Sequence, residues 1–105
     1  MKAIEFIEKL PERVDSASIE GENEIFHFDL TGEGGGQSTV KVQDGSVTVI
    51  EGLQGDPSCV IEASASDFEK LVKGELNAMM AVFTGKLKIS NQSLMMKYAK
   101  KFGMT

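Results

Sequence analysis

Residues 66–89 read SDFEKLVKGELNAMMAVFTGKLKI, and this stretch decides the fold that the sequence predicts. Ser66 followed by Glu69 is a capping box, so a helix is predicted to begin there, with apolar residues at i, i+3 and i+4 on one face. Gly74 is predicted to end this helix because helices often close on a residue with positive φ. We expect its charged side chains to face water: Asp67, Glu69, Lys70 and Lys73.

The second half of the stretch predicts another helix and a strand. Asn77 is a suitable N-cap for a helix over residues 78–83, AMMAVF. This segment has no charged side chain, so we expect it to be buried. Residues 86–89 alternate in polarity, with Leu87 and Ile89 on one face, as in a strand. An apolar helix pair laid against a strand is the predicted result.

Upstream of residue 66 the pattern changes to period two. Residues 24–31 and residues 38–43 alternate as half-buried strands. Asp44-Gly45 is a strong signal for a tight hairpin, since a type I′ turn needs positive φ at both central residues. This turn predicts that Val42 faces Val47 and Val40 faces Val49 across the ladder. A fourth strand over residues 58–64 and a fifth over residues 86–90 complete the predicted sheet.

Helical periodicity returns at both ends of the chain. The N-terminal residues form an amphipathic helix that is predicted to break near Leu10, because Pro11 cannot donate a backbone hydrogen bond. Residues 15–23 are small and polar and are read as loop. Residues 94–102 predict a last helix with one apolar face and an opposite basic face of Lys97, Lys100 and Lys101.

Bulk composition restricts the class of protein. The chain has 105 residues, 41% hydrophobic and 26% charged, with a net charge of −5. These values predict one α+β domain over residues 1–105 and argue against nucleic acid as a partner, which needs clustered Lys and Arg. The single Cys59 requires no oxidising compartment, and the start of the chain lacks the pattern of a signal peptide. We therefore expect a cytoplasmic protein.

Candidate groups for catalysis or metal binding are few. His27 lies mid-strand and Cys59 at an inward strand position, where packing roles are the ordinary interpretation. The glycine cluster at residues 32–36 lacks the Lys-Ser/Thr of a phosphate-binding loop, and the acidic residues near Glu22 lack the spacing of a calcium loop. The sequence therefore predicts no enzyme activity, no metal site and no cofactor.

Methionine is the unusual residue type. Four of the six methionines fall in the two apolar helical segments, as Met79, Met80, Met95 and Met96. Flexible and polarizable Met suits a surface that accepts varied apolar shapes, but it also fills ordinary cores. The residues alone leave both interpretations open.

Several motifs together resemble the sterol carrier protein type 2 (SCP-2) domain family, in its compact bacterial form. The most specific is FTGKLKI at residues 83–89, close to the family's aromatic-x-Gly-Lys-Leu-Lys-aliphatic signature. DPSCVI at residues 56–61, FDLTG at residues 28–32 and LPER at residues 10–13 support it. The resemblance spans nearly the whole chain.

The resemblance implies a five-stranded, mostly antiparallel sheet covered by about four to five helices, with an apolar tunnel between sheet and helices. Because the chain lacks the C-terminal extension of animal members, we expect an open tunnel. By the family's pattern, the ligand-binding residues are Phe68, Leu71, Leu76, Met79, Met80, Phe83, Leu94, Met95, Tyr98 and Phe102.

Three hypotheses of function follow. The first is a non-catalytic intracellular carrier of a fatty acid, acyl-CoA, sterol-like or other apolar lipid. The second is an accessory domain that presents hydrophobic intermediates to a lipid-metabolising enzyme, and the third is a protein-interaction module with an exposed apolar helix. The basic face of the last helix also suggests transient contact with an anionic membrane surface.

Overall fold

A five-stranded mixed sheet organises the protein. The structure is a computed structural model that describes residues 1–104, so Thr105 at the end of the predicted domain lies outside the described residues. The strand order is β3-β2-β1-β4-β5. Three of the four pairings are antiparallel, while β1 and β4 pair in parallel. The strands are β1 (Glu24–Thr31), β2 (Gly36–Gln43), β3 (Ser46–Glu51), β4 (Cys59–Ser64) and β5 (Leu87–Ile89).

The hairpin between β2 and β3 has the predicted turn and register. Asp44 and Gly45 have φ values of 53° and 73°, as the two central residues of a type I′ turn require. Val42 pairs with Val47, and Val40 with Val49. The predicted turn and register are thus confirmed. They could be predicted because turn chemistry and alternation both act over a few neighbouring residues.

Helices form the second layer. Their bounds are α1 (Ala3–Glu8), α2 (Leu10–Arg13), a 3-10 helix (Ser16–Ile19), α3 (Ala65–Val72), α4 (Ala78–Phe83) and α5 (Gln92–Ala99). The predicted break of the N-terminal helix falls at Lys9, which leaves Pro11 in the first turn of α2, where proline is tolerated. Among the described residues, none of the helices combines the length and the apolar character that crossing a membrane requires.

The start of α3 differs from the prediction. Ser64, not Ser66, is the N-cap, and its hydroxyl accepts a hydrogen bond from the Asp67 N–H at 3.0 Å. Glu69 was expected to face water, but its carboxylate accepts a hydrogen bond from the Ala3 N–H at 3.1 Å. The carboxylate thereby satisfies a free donor at the start of α1, a long-range contact that no local pattern reveals.

The core lies between the sheet and the helices. Phe26, Phe28 and Leu30 of β1 are all at most 2% exposed and supply its centre. Ile19 is 1% exposed although it lies in a stretch predicted as loop, because the 3-10 helix turns it inward. This anchor was missed because a single apolar residue carries no periodicity.

Candidate functional site

The structure divides the ten predicted ligand-binding residues by exposure. Five are buried in the core, two are partly buried and three are exposed. The buried members are Phe68, Leu71, Met95, Tyr98 and Phe102. They therefore form a wall of packed side chains rather than the lining of a described cavity.

Two aromatic members of the buried set come from the last helical segment and pack on β1. The ring centroids of Tyr98 and Phe102 lie 4.9 and 5.2 Å from that of Phe26, in edge-to-face geometry. All three rings are fully buried. Such pairs add to the area that the rings bury, so this cluster fixes the position of α5 against the sheet.

A second aromatic cluster holds α3. Phe68 lies edge-on to Phe6 of α1 and to Phe28 of β1, with both centroid distances 6.0 Å. Phe68 thus joins two helices to the sheet, while the rings of Tyr98 and Phe102 pack on Phe26. Phe26 and Phe28, two successive inward residues of β1, therefore pack against different helical clusters.

The apolar helix α4 is exposed, and the prediction that it is buried was wrong. Met79, Met80 and Phe83 are 83%, 57% and 87% exposed. Only Ala81 is fully buried, with Val82 partly packed against the core. Because six residues make less than two turns, two small side chains are enough to seat this helix. An absence of charge predicted burial, but the contacts available to so short a helix decide it.

The N-cap of α4 is as predicted. The Asn77 side-chain oxygen accepts a hydrogen bond from the Met80 N–H at 3.1 Å. Gly74 and Gly85, on either side of the segment that contains α4, both have a φ of 79°. The helix is therefore a short, capped element between two glycines in the left-handed region.

Leu76 and Leu94 are the two partly buried members. Leu76 precedes α4, and Leu94 lies in the first turn of α5. Both pack against the core while part of their surface stays accessible. They are the predicted residues that contact the core and solvent together.

Two open pockets of the described residues lie elsewhere. The larger, of about 500 Å³, is an open groove between α1 and the β2–β3 hairpin, with Ile4 and Val49 as apolar lining and Glu8 and Glu51 as acidic lining. The smaller, of about 270 Å³, includes Ile25, Lys41 and Asp56. Neither is lined by a predicted ligand-binding residue.

A polar network ties α5 to the turn before β1. The Tyr98 hydroxyl donates to Glu22 Oε1 at 2.8 Å, and Lys97 Nζ lies 2.7 Å from the same oxygen. Lys101 Nζ donates to the Ser18 carbonyl. The hydrogen bond from Lys97, and after it the one from Tyr98, lowers the pKa of Glu22, while burial raises the pKa of Tyr98. The role of Glu22 was missed because its partners lie far away in sequence.

Cys59 and His27 have structural surroundings. Cys59 is fully buried in β4, and burial raises the pKa of its thiol, which disfavours the nucleophilic thiolate. His27 Nε2–H donates to the Gln54 carbonyl at 2.8 Å, on the face of β1 opposite the core. The loop that contains Gln54 also receives a hydrogen bond on Gly52 O from the Thr39 hydroxyl. These contacts hold the β3–β4 connection against the outer face of the sheet.

Acidic and metal-ligating side chains do not converge. Within residues 1–104, no group of three or more His, Cys, Asp or Glu side chains is placed to hold a metal ion. The predicted ligand-binding residues and their neighbours instead provide apolar surface, and the hydrogen bonds around them hold the helices in position.

Comparisons with known proteins agree with the fold and with the motifs. Residues 5–102 match the sequence model of the SCP-2 sterol transfer family. The chain is 36% identical over 95 residues to human Sterol carrier protein 2, a match that covers 87% of this chain and 17% of that protein. The chain therefore spans about a sixth of the length of this curated relative.

Solved structures show the same architecture. The sterol carrier protein domain 2 of Helicoverpa armigera superposes with a TM-score of 0.72 at 27% identity, over 94% of this chain and 81% of that one. Palmitated SCP2L2 from Aedes aegypti superposes with a TM-score of 0.70 at 19% identity, over 97% and 95%. The five-stranded sheet with its helical layer is the fold of SCP-2 domains. The chain belongs to the SCP-2 sterol transfer family.

Proposed function

We propose that this chain is a non-catalytic carrier that binds one long-chain lipid in the cytoplasm. The observation that carries the proposal is the exposed apolar face of α4, formed by Met79, Met80 and Phe83, in a member of a lipid-binding domain family. Three large apolar side chains on one short helix are an unusual surface for a protein without a partner for them. The buried free thiol of Cys59 is compatible with a reducing compartment.

The proposed site lies where α4, Leu76 and the start of α5 meet the core. In this proposal, the five buried members of the predicted set form the wall, and Leu76 and Leu94 mark the boundary that an acyl chain crosses. Gly74 and Gly85 allow the segment between them to reorient, so that the side chains of α4 cover the bound chain. In this arrangement the bound ligand lies between the buried residues on one side and the α4 side chains on the other, so all ten predicted residues belong to one binding site.

Affinity in such a site would come from apolar burial. At ~25 cal/mol per Å², each methylene that leaves water contributes about 0.8 kcal/mol. A hydrophobic site discriminates weakly between chains that differ by one methylene, so we expect binding of several lipids with long hydrocarbon chains.

Displacement of a fluorescent fatty acid by palmitate tests the carrier function. Palmitate is a suitable first probe because a domain of the same fold has been solved in a palmitated form. We expect saturable binding at one site per chain, weakened by Met80→Asp and Phe83→Asp. The matched control is Leu53→Asp, which places the same charge at an exposed apolar residue outside the proposed site. Absence of saturable binding in the micromolar range would contradict the proposal.

An accessory role is the second candidate. It is favoured by the exposed face of α4 and by the human relative, in which the matching region is part of a much longer protein. In this role the domain would present a hydrophobic intermediate to a lipid-metabolising enzyme. Purification from the native host separates the two: a stoichiometric enzyme partner supports the accessory role, and bound lipid alone supports the free carrier.

A further inference from the structure

The open groove beside α1 runs along the edge strand of the sheet. Its floor is formed by β2 and β3, with Ser38 and Val49, and its wall by α1, with Ile4 and Glu8. The groove has a volume of about 500 Å³. Because β3 pairs with β2 alone, the groove opens toward the free edge of the sheet. We name it the edge groove.

The hairpin turn fixes which backbone groups of β3 face outward. Residues that flank a two-residue turn form a hydrogen-bonded pair, and such pairs alternate along the ladder from there. The register therefore directs the backbone N–H and C=O of Ile50 to β2, and those of Val47 and Val49 to the free edge. As this alternation requires, the Gly52 N–H donates to the Gln37 carbonyl at 2.8 Å.

The edge strand lacks the features that usually prevent pairing with another chain. Its first five residues, SVTVI at 46–50, contain no charged residue and no proline, and four of them are β-branched. At the end of the strand, the Glu51 carbonyl accepts a hydrogen bond from the Gln54 side-chain amide at 3.2 Å. An extended segment of another chain therefore finds free main-chain partners at Val47 and Val49.

The lining of the edge groove indicates which side chains such a segment carries. Among its eight lining residues, Glu8 and Glu51 are charged and none is Lys or Arg. No salt bridge joins either carboxylate to a cation within the part of the chain that the structure describes. Ile4 and Val49 add apolar surface. Lys and Arg match this lining, because each carries a cationic end on an apolar stem.

The hydroxyl of Ser38 is an independent sign of a ligand. Ser38 lines the edge groove and is only 3% exposed. Among residues 1–104, every side-chain oxygen or nitrogen that is shut off from solvent has a hydrogen-bond partner, whereas the Ser38 hydroxyl bonds to none of these residues. The hydroxyl therefore keeps its remaining exposure through the groove. A nearly buried hydroxyl needs a partner, which a polar group bound in the groove supplies.

We propose that the edge groove binds an extended basic segment of a partner protein, which adds to β3 as a further strand. Residues 1–64 carry four Lys and Arg and thirteen Asp and Glu, a net charge of −9, so this part of the molecule attracts a cationic segment. In the added strand every second side chain faces the groove. We expect an apolar side chain beside Val49 and a Lys or Arg beside Glu51.

A second copy of this chain fits the edge groove less well. Pairing of two β3 strands brings together two parts of the molecule that each have a net charge of −9. The repulsion between them opposes edge-to-edge association. A basic segment is attracted by the same charge, and charge complementarity therefore favours it as the occupant.

This inference goes beyond the proposed lipid site and does not depend on it. The edge groove contains none of the ten predicted ligand-binding residues. Loss of peptide binding with intact palmitate displacement, or the reverse, therefore shows which of the two proposals fails.

Amide NMR and hydrogen exchange of the full chain with a synthetic peptide test the proposal. The probe is acetyl-GTVTITRTG-amide, whose Val, Ile and Arg lie on one face of a strand. We expect saturable binding that weakens at high salt. The amides of Val47 and Val49 should gain protection, while those of Thr48 and Ile50, which already bond to β2, should change little. Absence of saturable binding up to about 1 mM peptide would overturn the proposal.

Glutamate variants isolate the contribution of charge. Glu8→Gln with Glu51→Gln should weaken binding about fivefold, as expected for the loss of two exposed ion pairs. The control, Glu62→Gln with Glu75→Gln, removes two exposed carboxylates that do not line the groove and should bind like the wild type. A probe with Glu in place of its Arg should bind more weakly than the parent peptide.

Two N-methylated forms of the probe isolate the main-chain contacts. One carries N-methyl groups on Val, Ile and Arg, and the other carries them on the intervening Thr residues. An added strand directs alternate N–H groups to β3, so one form should bind like the parent peptide and the other should lose binding. Three results would contradict strand addition: equal binding by both forms, equal binding by the double glutamate variant and its control, or self-association that protects the same amides without peptide.

Discussion

At the scale of single residues, two phenylalanines of neighbouring helices illustrate how environment decides role. Phe68 of α3 is fully buried against Phe6 and Phe28, whereas Phe83 of α4 is 87% exposed. Both were predicted to bind ligand because the pattern of the SCP-2 family places both in the tunnel. Their contacts assign Phe68 to the stability of the domain, and the exposure of Phe83 leaves its side chain free for another molecule.

Alanine substitution should separate these two phenylalanines. Phe68→Ala removes a ring from a packed core and should lower the free energy of unfolding by about 3–5 kcal/mol. Phe83→Ala removes an exposed ring and should change it by less than about 0.5 kcal/mol. Urea unfolding measures both. Similar losses for the two variants would mean that the Phe83 ring is packed against the core rather than exposed.

The pH dependence of stability should report Glu22. Lys97 and Tyr98 lower the pKa of this carboxyl in the folded protein below its usual value of 4.5. The group therefore stabilises the fold above about pH 4.5, and this contribution is lost as the pH falls through the folded-state pKa.

We expect Glu22→Gln to have a lower urea midpoint than the wild type at pH 7 and nearly the same midpoint at pH 3. The control is Glu20→Gln, which changes an exposed neighbour. In this variant the urea midpoint should change between pH 7 and pH 3 by as much as it does in the wild type. A deficit of Glu22→Gln that persists at pH 3 would contradict the assignment.

At the scale of elements, caps decide where helices begin. The sequence offers Ser66 within a capping box, but the Ser64 hydroxyl accepts the hydrogen bond from Asp67. Pairing of β4 with β1 ends at Ser64, where it meets Thr31, so the sheet fixes the position at which the chain can turn into α3. A long-range pairing thus overrides a local motif.

Ser64→Ala should lower the free energy of unfolding by about 1 kcal/mol, because it leaves a helix N–H without its acceptor. Ser66→Ala, in the first turn of the same helix, should be neutral or slightly stabilising, since Ala favours helix. Chemical denaturation of the pair distinguishes the two caps. A larger loss for Ser66→Ala than for Ser64→Ala would instead show that Ser66 is the N-cap.

Much of the fold could be predicted from the sequence, because its signals are local. The register of Val40 and Val42 with β3 followed from Asp44-Gly45, and the apolar face of α5 from its periodicity. The exposure of Met79 and Phe83 could not be predicted, since apolar composition does not show which neighbours are within reach. The network around Glu22 could not be predicted either, because it joins residues 76 positions apart.

At the scale of the whole molecule, charge and apolar surface are distributed together. The net charge of −5 argued against nucleic acid as a partner, but the excess of negative charge lies in residues 1–64, and the remainder is basic. The exposed methionines and phenylalanine of α4 lie in the basic part. The total charge therefore does not describe the surroundings of the exposed α4 side chains.

The central claim is that a lipid is bound between α4, Leu76 and the start of α5. Two-dimensional amide NMR of the labelled protein during titration with palmitate tests it most directly. The account predicts that shifts saturate at one equivalent and concentrate in residues 76–83 and 94–102. Shifts confined to the groove beside Ile4 and Val49, or no saturable shifts at all, would contradict it.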